Sequence, residues 1–302
     1  VQSTISVSQR AGVSRPHNHR PILGIENAKT TKGQSLGWLT GICYLAPSEE
    51  SGVMNTCQFA TPDCKEVCIY KQGRGQMPSV VSARIDKTLF LFHHREDFLA
   101  SLRWDIQGLE RQAKKLRFCP ECQEIKKVRK RTIRKCRKCG AELRPVPIAV
   151  RINGTSDLAW IGMQMADEHP HVQFYDYTKL PRPYLRMRPN YAITFSHTGY
   201  NLEDCLDALA HGVNVAVAFA IKKATPLPET WHGYPVVDGD THDLRFLDPR
   251  GVIVGLRGKG VSWKRPTAFM VQVWPQTDRW FSLYRARSAA PKQELIQISL
   301  AA

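Results

Sequence analysis

The apolar positions of this chain change rhythm along its length, and each rhythm predicts a different kind of element. Residues 38–46 (WLTGICYLA) form a nearly continuous apolar run that stops at Pro47, the pattern of a buried strand. Between residues 79 and 117 the apolar side chains recur at helical spacing, from Val80, Val81 and Ile85 through Phe98, Leu102, Ile106 and Leu109 to Leu116, with Arg and Lys between them. That spacing predicts one or two long helices, broken near His93-His94-Arg95. Beyond residue 145 short apolar runs return, with strands predicted at 148–152, 172–177, 191–195, 213–220, 236–237 and 252–256 and helices at 158–168 and 202–211. Strands alternating with helices in this way imply parallel βα units, so the expected class is α/β, a (βα) barrel or partial barrel.

Most of these strands run into polar clusters. The first ends in Asn153, Gly154, Thr155, Ser156 and Asp157, the next in Asp176, Tyr177, Thr178 and Lys179, the third in Ser196, His197 and Thr198, and another in Asp238, Gly239 and Asp240. Ligands of parallel α/β sheets sit at the carboxyl ends of the strands, so the four clusters are expected to converge on one mouth. Turn formation and helix capping explain Ser156 or Asn201 equally well. They explain Lys179 and Asp240 less well, which makes Asp157, Asp176, Lys179 and Asp240 the candidate catalytic groups.

Composition sharpens the picture in one place. The formal charge is +16, and residues 112–144 hold 13 Lys or Arg against three Glu, a net of +10 in a small part of 302 residues. Charge concentrated on one element is the electrostatic footprint of a nucleic-acid contact, because each neutralised phosphate releases counterions. The same residues contain Cys119-x2-Cys122-x13-Cys136-x2-Cys139, the double-knuckle spacing of a zinc ribbon. The stretch 123–135 between the knuckles is expected to form a two-stranded ribbon presenting Lys126, Lys127, Arg129, Lys130, Arg131, Arg134 and Lys135 to phosphates. A stabilising insertion without any partner fits the same spacing.

Three further thiols, Cys57-x6-Cys64-x3-Cys68, lie within twelve residues just after the first strand. This is not a zinc-ribbon spacing. If Cys43 joins the set, the site is closed and structural; if it does not, a [4Fe–4S] cluster with one iron free for a cosubstrate becomes plausible. The chain divides accordingly into a disordered arm (1–20), an N-terminal part of the barrel with the three-thiol loop and long helix (21–117), the inserted ribbon (118–144), a C-terminal part of the barrel (145–270) and an extension (271–302). No apolar run reaches the roughly 18 residues of a membrane span, and no secretory segment opens the chain. With cysteines in ligand spacing rather than disulfide frameworks, a cytoplasmic protein with no membrane contact is expected.

Six strings in order, Asn27-Ala28-Lys29-Thr30-Thr31-Lys32-Gly33, Cys64-Lys65-Glu66-Val67-Cys68 with Gly73-Arg74-Gly75, Ala83-Arg84-Ile85-Asp86-Lys87-Thr88, Arg151-Ile152-Asn153-Gly154-Thr155-Ser156-Asp157, Phe174-Tyr175-Asp176-Tyr177-Thr178-Lys179 and Asp248-Pro249-Arg250-Gly251-Val252-Ile253-Val254-Gly255-Leu256, resemble the gene product 88 family of tailed phages and mobile elements. The resemblance covers roughly residues 22–265 and implies a phage or plasmid setting, but no particular activity. The basic ribbon departs from the shorter linker expected there. The order of motifs is also similar to radical-SAM-like phage proteins. That likeness implies a [4Fe–4S] cluster on Cys57, Cys64 and Cys68, with S-adenosylmethionine on its open iron. Asn153, Thr155, Ser156 and Asp157 would then line the cosubstrate. The x6 and x3 spacing departs from the usual Cys-x3-Cys-x2-Cys of such enzymes.

Three functions follow as expectations. The first is a radical-SAM-like enzyme acting on nucleic acid or nucleotides. The second is a carboxylate enzyme in which Asp157, Asp176, Asp238 and Asp240 bind divalent ions for phosphodiester cleavage, or one of them is the nucleophile of a base-exchanging transglycosylase. The third is a non-catalytic nucleic-acid-binding protein with two zinc staples.

Overall fold

A computed structural model describes residues 14–129, 132–260, 262–264 and 267–273. Strand β1 (Leu23–Gly24), helix α1 (Ala28–Ser35) and strand β2 (Leu39–Cys43) come first, followed by the short helix α2 (Pro62–Glu66) and the long pair α3 (Pro78–His93) and α4 (Arg95–Ala113). The helix break falls at His94, whose φ of −137° and ψ of 55° leave the helical region. Strands β3 (Leu116–Cys119), β4 (Glu124–Lys127) and β5 (Arg144–Pro145) form a separate small sheet. The alternating half then runs β6 (Ile148–Arg151), α5 (Ala159–Glu168), β7 (Gln173–Thr178), β8 (Tyr191–Ser196), α6 (Leu202–Ala210), β9 (Val215–Phe219), β10 (Thr230–Trp231), β11 (Tyr234–Asp238), β12 (Ile253–Arg257) and β13 (Met270–Val271).

The main sheet has ten strands in the order β1-β2-β6-β7-β8-β9-β12-β11-β10, with β13 beside β9. From β2 to β11 every neighbour is parallel, whereas β1 and β10 are antiparallel to the strands they flank. Seven parallel strands therefore present their carboxyl ends along one rim. Among the described residues the hydrogen-bonded path ends at β1 and β10, and no ladder joins the two.

Strand periodicity divides the sheet into two faces. Ile148 and Val150 face α4, which offers Phe98, Leu99, Leu102, Ile106 and Leu109 at spacings of three and four, Phe174, Tyr191 and Ile193 continue that face toward α5, and these residues belong to the largest apolar core. Each of these side chains, fully buried, contributes about 1.5–3 kcal/mol. The opposite face carries Ala149, Tyr175 and Ala192, and the chain after β11 lies across it, with Leu244 and Phe246 packed on those residues and on Trp38.

That covering segment also brings a carboxylate to a buried cation. Arg151 Nη1 donates to both oxygens of Asp243 at 3.0 Å, and Lys29 of α1 lies 3.4 Å from the same carboxylate. Burial works against the charge on Asp243, but Arg151 and Lys29 outweigh it and hold the carboxyl far below the ordinary range. Lys29 is pulled down to about 8 by burial and by the Arg151 charge. Asp243→Ala is expected to cost about 3–5 kcal/mol in urea unfolding, because it leaves Arg151 buried and unpaired. The pair stabilises fully above the ordinary carboxylate value of about 4 and loses its contribution only as pH falls toward the depressed folded value. A wild-type-like unfolding midpoint for Asp243→Ala would show that the pair does not hold the covering segment.

The small sheet differs from its expected form. The hairpin is built by β3 and β4 on either side of the first knuckle, in the register Leu116↔Lys127 to Cys119↔Glu124, rather than by residues 123–135 between the knuckles. Gln123, at φ 52°, closes the knuckle turn so tightly that the strands pair across it. The second knuckle is closed by the Lys135↔Glu142 bridge and by Gly140 at φ 78°, a conformation only glycine adopts without cost. Of the expected arm, residues 14–20 are described and touch α4: the His19 imidazole is 2.8 Å from Asp105, and Asn18 donates to Asp97. Residues 1–13 and the extension from 274 lie outside the described residues.

Candidate functional site

The four-cysteine set is gathered. Sγ–Sγ separations are 3.5 Å for Cys119–Cys139, 3.5 Å for Cys122–Cys139 and 3.9 Å for Cys122–Cys136. A tetrahedron with Zn–S bonds of about 2.3 Å has edges of about 3.8 Å, so the thiols already stand where one zinc ion would need them. Cys119 and Cys136 are buried with Leu143 in a small apolar cluster of their own. Lys126 Nζ donates to Cys136 Sγ at 3.1 Å, and the Cys139 amide and this ammonium pull the Cys136 thiol down to about 5. Lys126 therefore turns inward, away from the phosphate-facing role expected of it. Lys127, Arg129, Arg134 and Lys135 are exposed, while Lys130 and Arg131 lie outside the described residues.

The three-thiol loop sits on the carboxyl rim of the main sheet, pinned at two places. After β6, Asp157 N donates to Thr56 O at 2.7 Å and Cys57 Sγ lies 3.7 Å from Thr155 O. Past β8, Asp63 accepts from Tyr200 Oη at 3.0 Å and from Ala268 N at 2.7 Å. Thr61 caps α2 and receives the Cys64 amide, which fixes the middle thiol. Gly154 lets the rim close on β2: its amide donates to Cys43 O, and a Cβ there would stand 2.5 Å from that oxygen.

Cys43 does not join the set. It is fully buried in the apolar core with Leu39, Leu45 and Phe98, and burial pushes its thiol up to about 12. Cys205, on α6, is likewise buried, in the second apolar core. Burial also raises the Cys57 and Cys68 thiols. Lys179 lies among these thiols: burial would lower its pKa, but Cys64, Asp157, Cys57 and Cys68 outweigh that and raise it. Among the described residues only the four-cysteine set brings three or more thiol, imidazole or carboxylate ligands within 4.8 Å of one another. Cys57, Cys64 and Cys68 are not part of such a group.

The polar clusters divide into two groups. Asp157 belongs to the rim, accepting from Thr178 Oγ1 and from the Lys179 amide, both at 2.7 Å. Thr155 donates to Leu45 O and presents its own carbonyl to Cys57. Asp176 faces the helices instead. It accepts from the Asn153 amide at 2.6 Å, Asn153 Nδ2 at 3.1 Å and Tyr191 Oη at 3.0 Å, and burial raises it to about 7. Asn153 Oδ1 in turn receives Ser156 Oγ and the Leu158 amide. Asn153, Ser156 and Asp176 thus hold the turn into α5. Asp238 and Asp240 clasp Arg257, at 2.8 and 3.2 Å, at the ends of β11 and β12. Asp157, Asp176, Asp238 and Asp240 are not among the described ligand groups that meet within 4.8 Å of one another.

His197 also turns inward, buried beside Trp231 at 5.3 Å between ring centroids. The sequence reading missed Arg84 of α3. Its guanidinium lies over the rings of Tyr44 (5.5 Å) and Tyr70 (5.2 Å), and its buried Nε and Nη1 have no hydrogen-bond partner among the described residues. Its place in the Ala83–Thr88 string, one turn of helix from the apolar face, was the only sign of it.

Comparison with known proteins gives one result: a family model described as gene product 88 matches residues 21–273. No curated protein matches the chain, and no solved structure does.

Proposed function

The chain belongs to the gene product 88 family, and from that premise and the geometry of its rim we propose that it is an iron–sulfur enzyme of radical-SAM type acting on nucleic acid or nucleotides. The observation that carries the reading is the full burial of Cys43 in the apolar core while Cys57, Cys64 and Cys68 stay half-buried, which favours a set of three thiols over one of four. In this reading the parallel strands are a partial barrel, Cys57, Cys64 and Cys68 hold a [4Fe–4S] cluster, and S-adenosylmethionine is the cosubstrate. A cluster with three protein thiolates supplies one-electron chemistry at the iron that lacks a protein ligand.

The chain's own residues have defined tasks. Lys179 balances the negative charge of the three thiolates, and Asp157 fixes the backbone that carries it. Arg84 offers two unpartnered N–H groups beside Cys68, suited to an anionic group of the bound small molecule. Asp176 is a positioning residue that acts through Asn153. The zinc ribbon is the nucleic-acid contact, through Lys127, Arg129, Arg134 and Lys135.

Anaerobic protein reconstituted with iron and sulfide, then given dithionite and S-adenosylmethionine, tests this directly. Methionine released over the protein-free control, and absent with Cys64→Ala, is the expected result. Iron-loaded protein that releases none would contradict the enzyme reading.

A further inference from the structure

We infer that a second phosphate-binding surface adjoins the ribbon, in the groove where the C-terminal turn of α4 meets β3 and β4. It is lined by Gly108, Arg111, Gln112, Lys115, Leu116 and Lys127. The inference deepens the nucleic-acid part of the proposed function and rests on it.

Three observations carry it. Arg111, Lys115 and Lys127 are exposed, and none of them makes an ion pair among the described residues. Arg111 is held in place, its guanidinium 4.4 Å from the Trp104 ring centroid, so less side-chain freedom is lost when it meets a phosphate. The third observation is strand parity. Lys126 and Lys127 are adjacent on β4 and so point to opposite faces: Lys126 turns to the Cys136 thiol, and Lys127, paired across the ladder with Leu116, faces the groove.

The hairpin base thereby joins the charge of the ribbon to that of the helix end. The last turn of a helix carries the negative end of its dipole, which lets cations gather there without acidic partners. The result is one continuous basic track, with Gly108 leaving its floor free of a side chain. A chain of regularly spaced phosphates fits such a track, since three of its six lining residues are cations and none is acidic.

The test uses the zinc-loaded full chain and fluorescein-labelled oligonucleotides, DNA and RNA, in anisotropy titrations between about 50 and 200 mM salt. Arg111→Ala with Lys115→Ala is compared with a ribbon variant, Arg129→Ala with Arg134→Ala and Lys135→Ala. The groove variant is expected to bind about tenfold more weakly at the low-salt end, with a log–log salt slope shallower by about 2, since each lost phosphate contact removes about 0.9. Wild-type affinity and slope for the groove variant, with loss in the ribbon variant, would overturn the groove while leaving the ribbon contact standing. Absence of salt-dependent binding by the wild type would overturn both. All five positions are exposed, and an unchanged thermal midpoint checks that the variants fold.

Discussion

Replacing Cys57, Cys64 or Cys68 by alanine is expected to reduce bound iron from about four per chain to near zero after anaerobic reconstitution, while Cys43→Ala keeps it. The four cysteines are close in sequence, but they stand in different surroundings. Cys43 ends β2 with its side chain in the α4-facing core, whereas the other three lie on the loop that Thr56, Thr61 and Asp63 tie to the rim. Removing a rim thiol takes away a cluster ligand. Removing the Cys43 thiol trims a small apolar side chain, at about 1–2 kcal/mol of stability, and leaves the cluster in place. Iron analysis together with absorbance near 400 nm separates the outcomes. If Cys43→Ala lost its iron as completely as Cys64→Ala, the thiol would belong to the set and the site would be closed.

Cys136→Ser is expected to release the ribbon's zinc and unfold residues 116–145 without unfolding the main sheet. Structural zinc contributes an apparent 10–16 kcal/mol or so to folding in small zinc modules, and here the described apolar cluster is small, Cys119, Cys136 and Leu143 with Cys122, Val128, Ile133 and Ala141 against them. The main cores share none of these three, although Leu116, Phe118 and Ile125 pack against the larger one, so urea unfolding of the sheet should shift only modestly. Limited proteolysis would instead cut within the basic stretch, and oligonucleotide binding would fall with it. Lys126→Ala is the milder version. Losing the hydrogen bond to Cys136 should weaken zinc by about 10–100-fold while leaving the exposed cations in place. A Cys136→Ser protein with intact protease resistance and full zinc would contradict the metal-dependent ribbon.

Much of the scaffold was legible in the chain because burial repeats with the period of each element. The break at His94, the strands β6, β7, β8, β9 and β12 and the helices α5 and α6 all fall within a few residues of their expected places. Helix α1 was not legible, since Ala28–Ser35 has no apolar stripe; it is set by the capping box of Asn27 and Thr30. The ribbon hairpin was misplaced because thiol spacing fixes where the ligands meet but not which residues pair.

In the site, Asp157 and Lys179 lie at the rim, whereas Asp176, expected at the same mouth, faces the helices. Period two would have assigned it: Phe174 and Asp176 share the helix-facing side, while Tyr175 takes the other. The clasp of Asp238 and Asp240 on Arg257, the burial of Arg151 against Asp243 and the stacking of Arg84 depend on loops that cross the sheet. No local pattern of residues encodes such crossings.

The central claim is that one chain carries two different metal centres, a closed zinc site and an open iron–sulfur site. Metal analysis of wild-type protein after anaerobic purification and reconstitution tests it most directly. One zinc and about four iron per chain, with broad absorbance near 400 nm, is the predicted result; two zinc in a colourless protein that takes up no iron would contradict it.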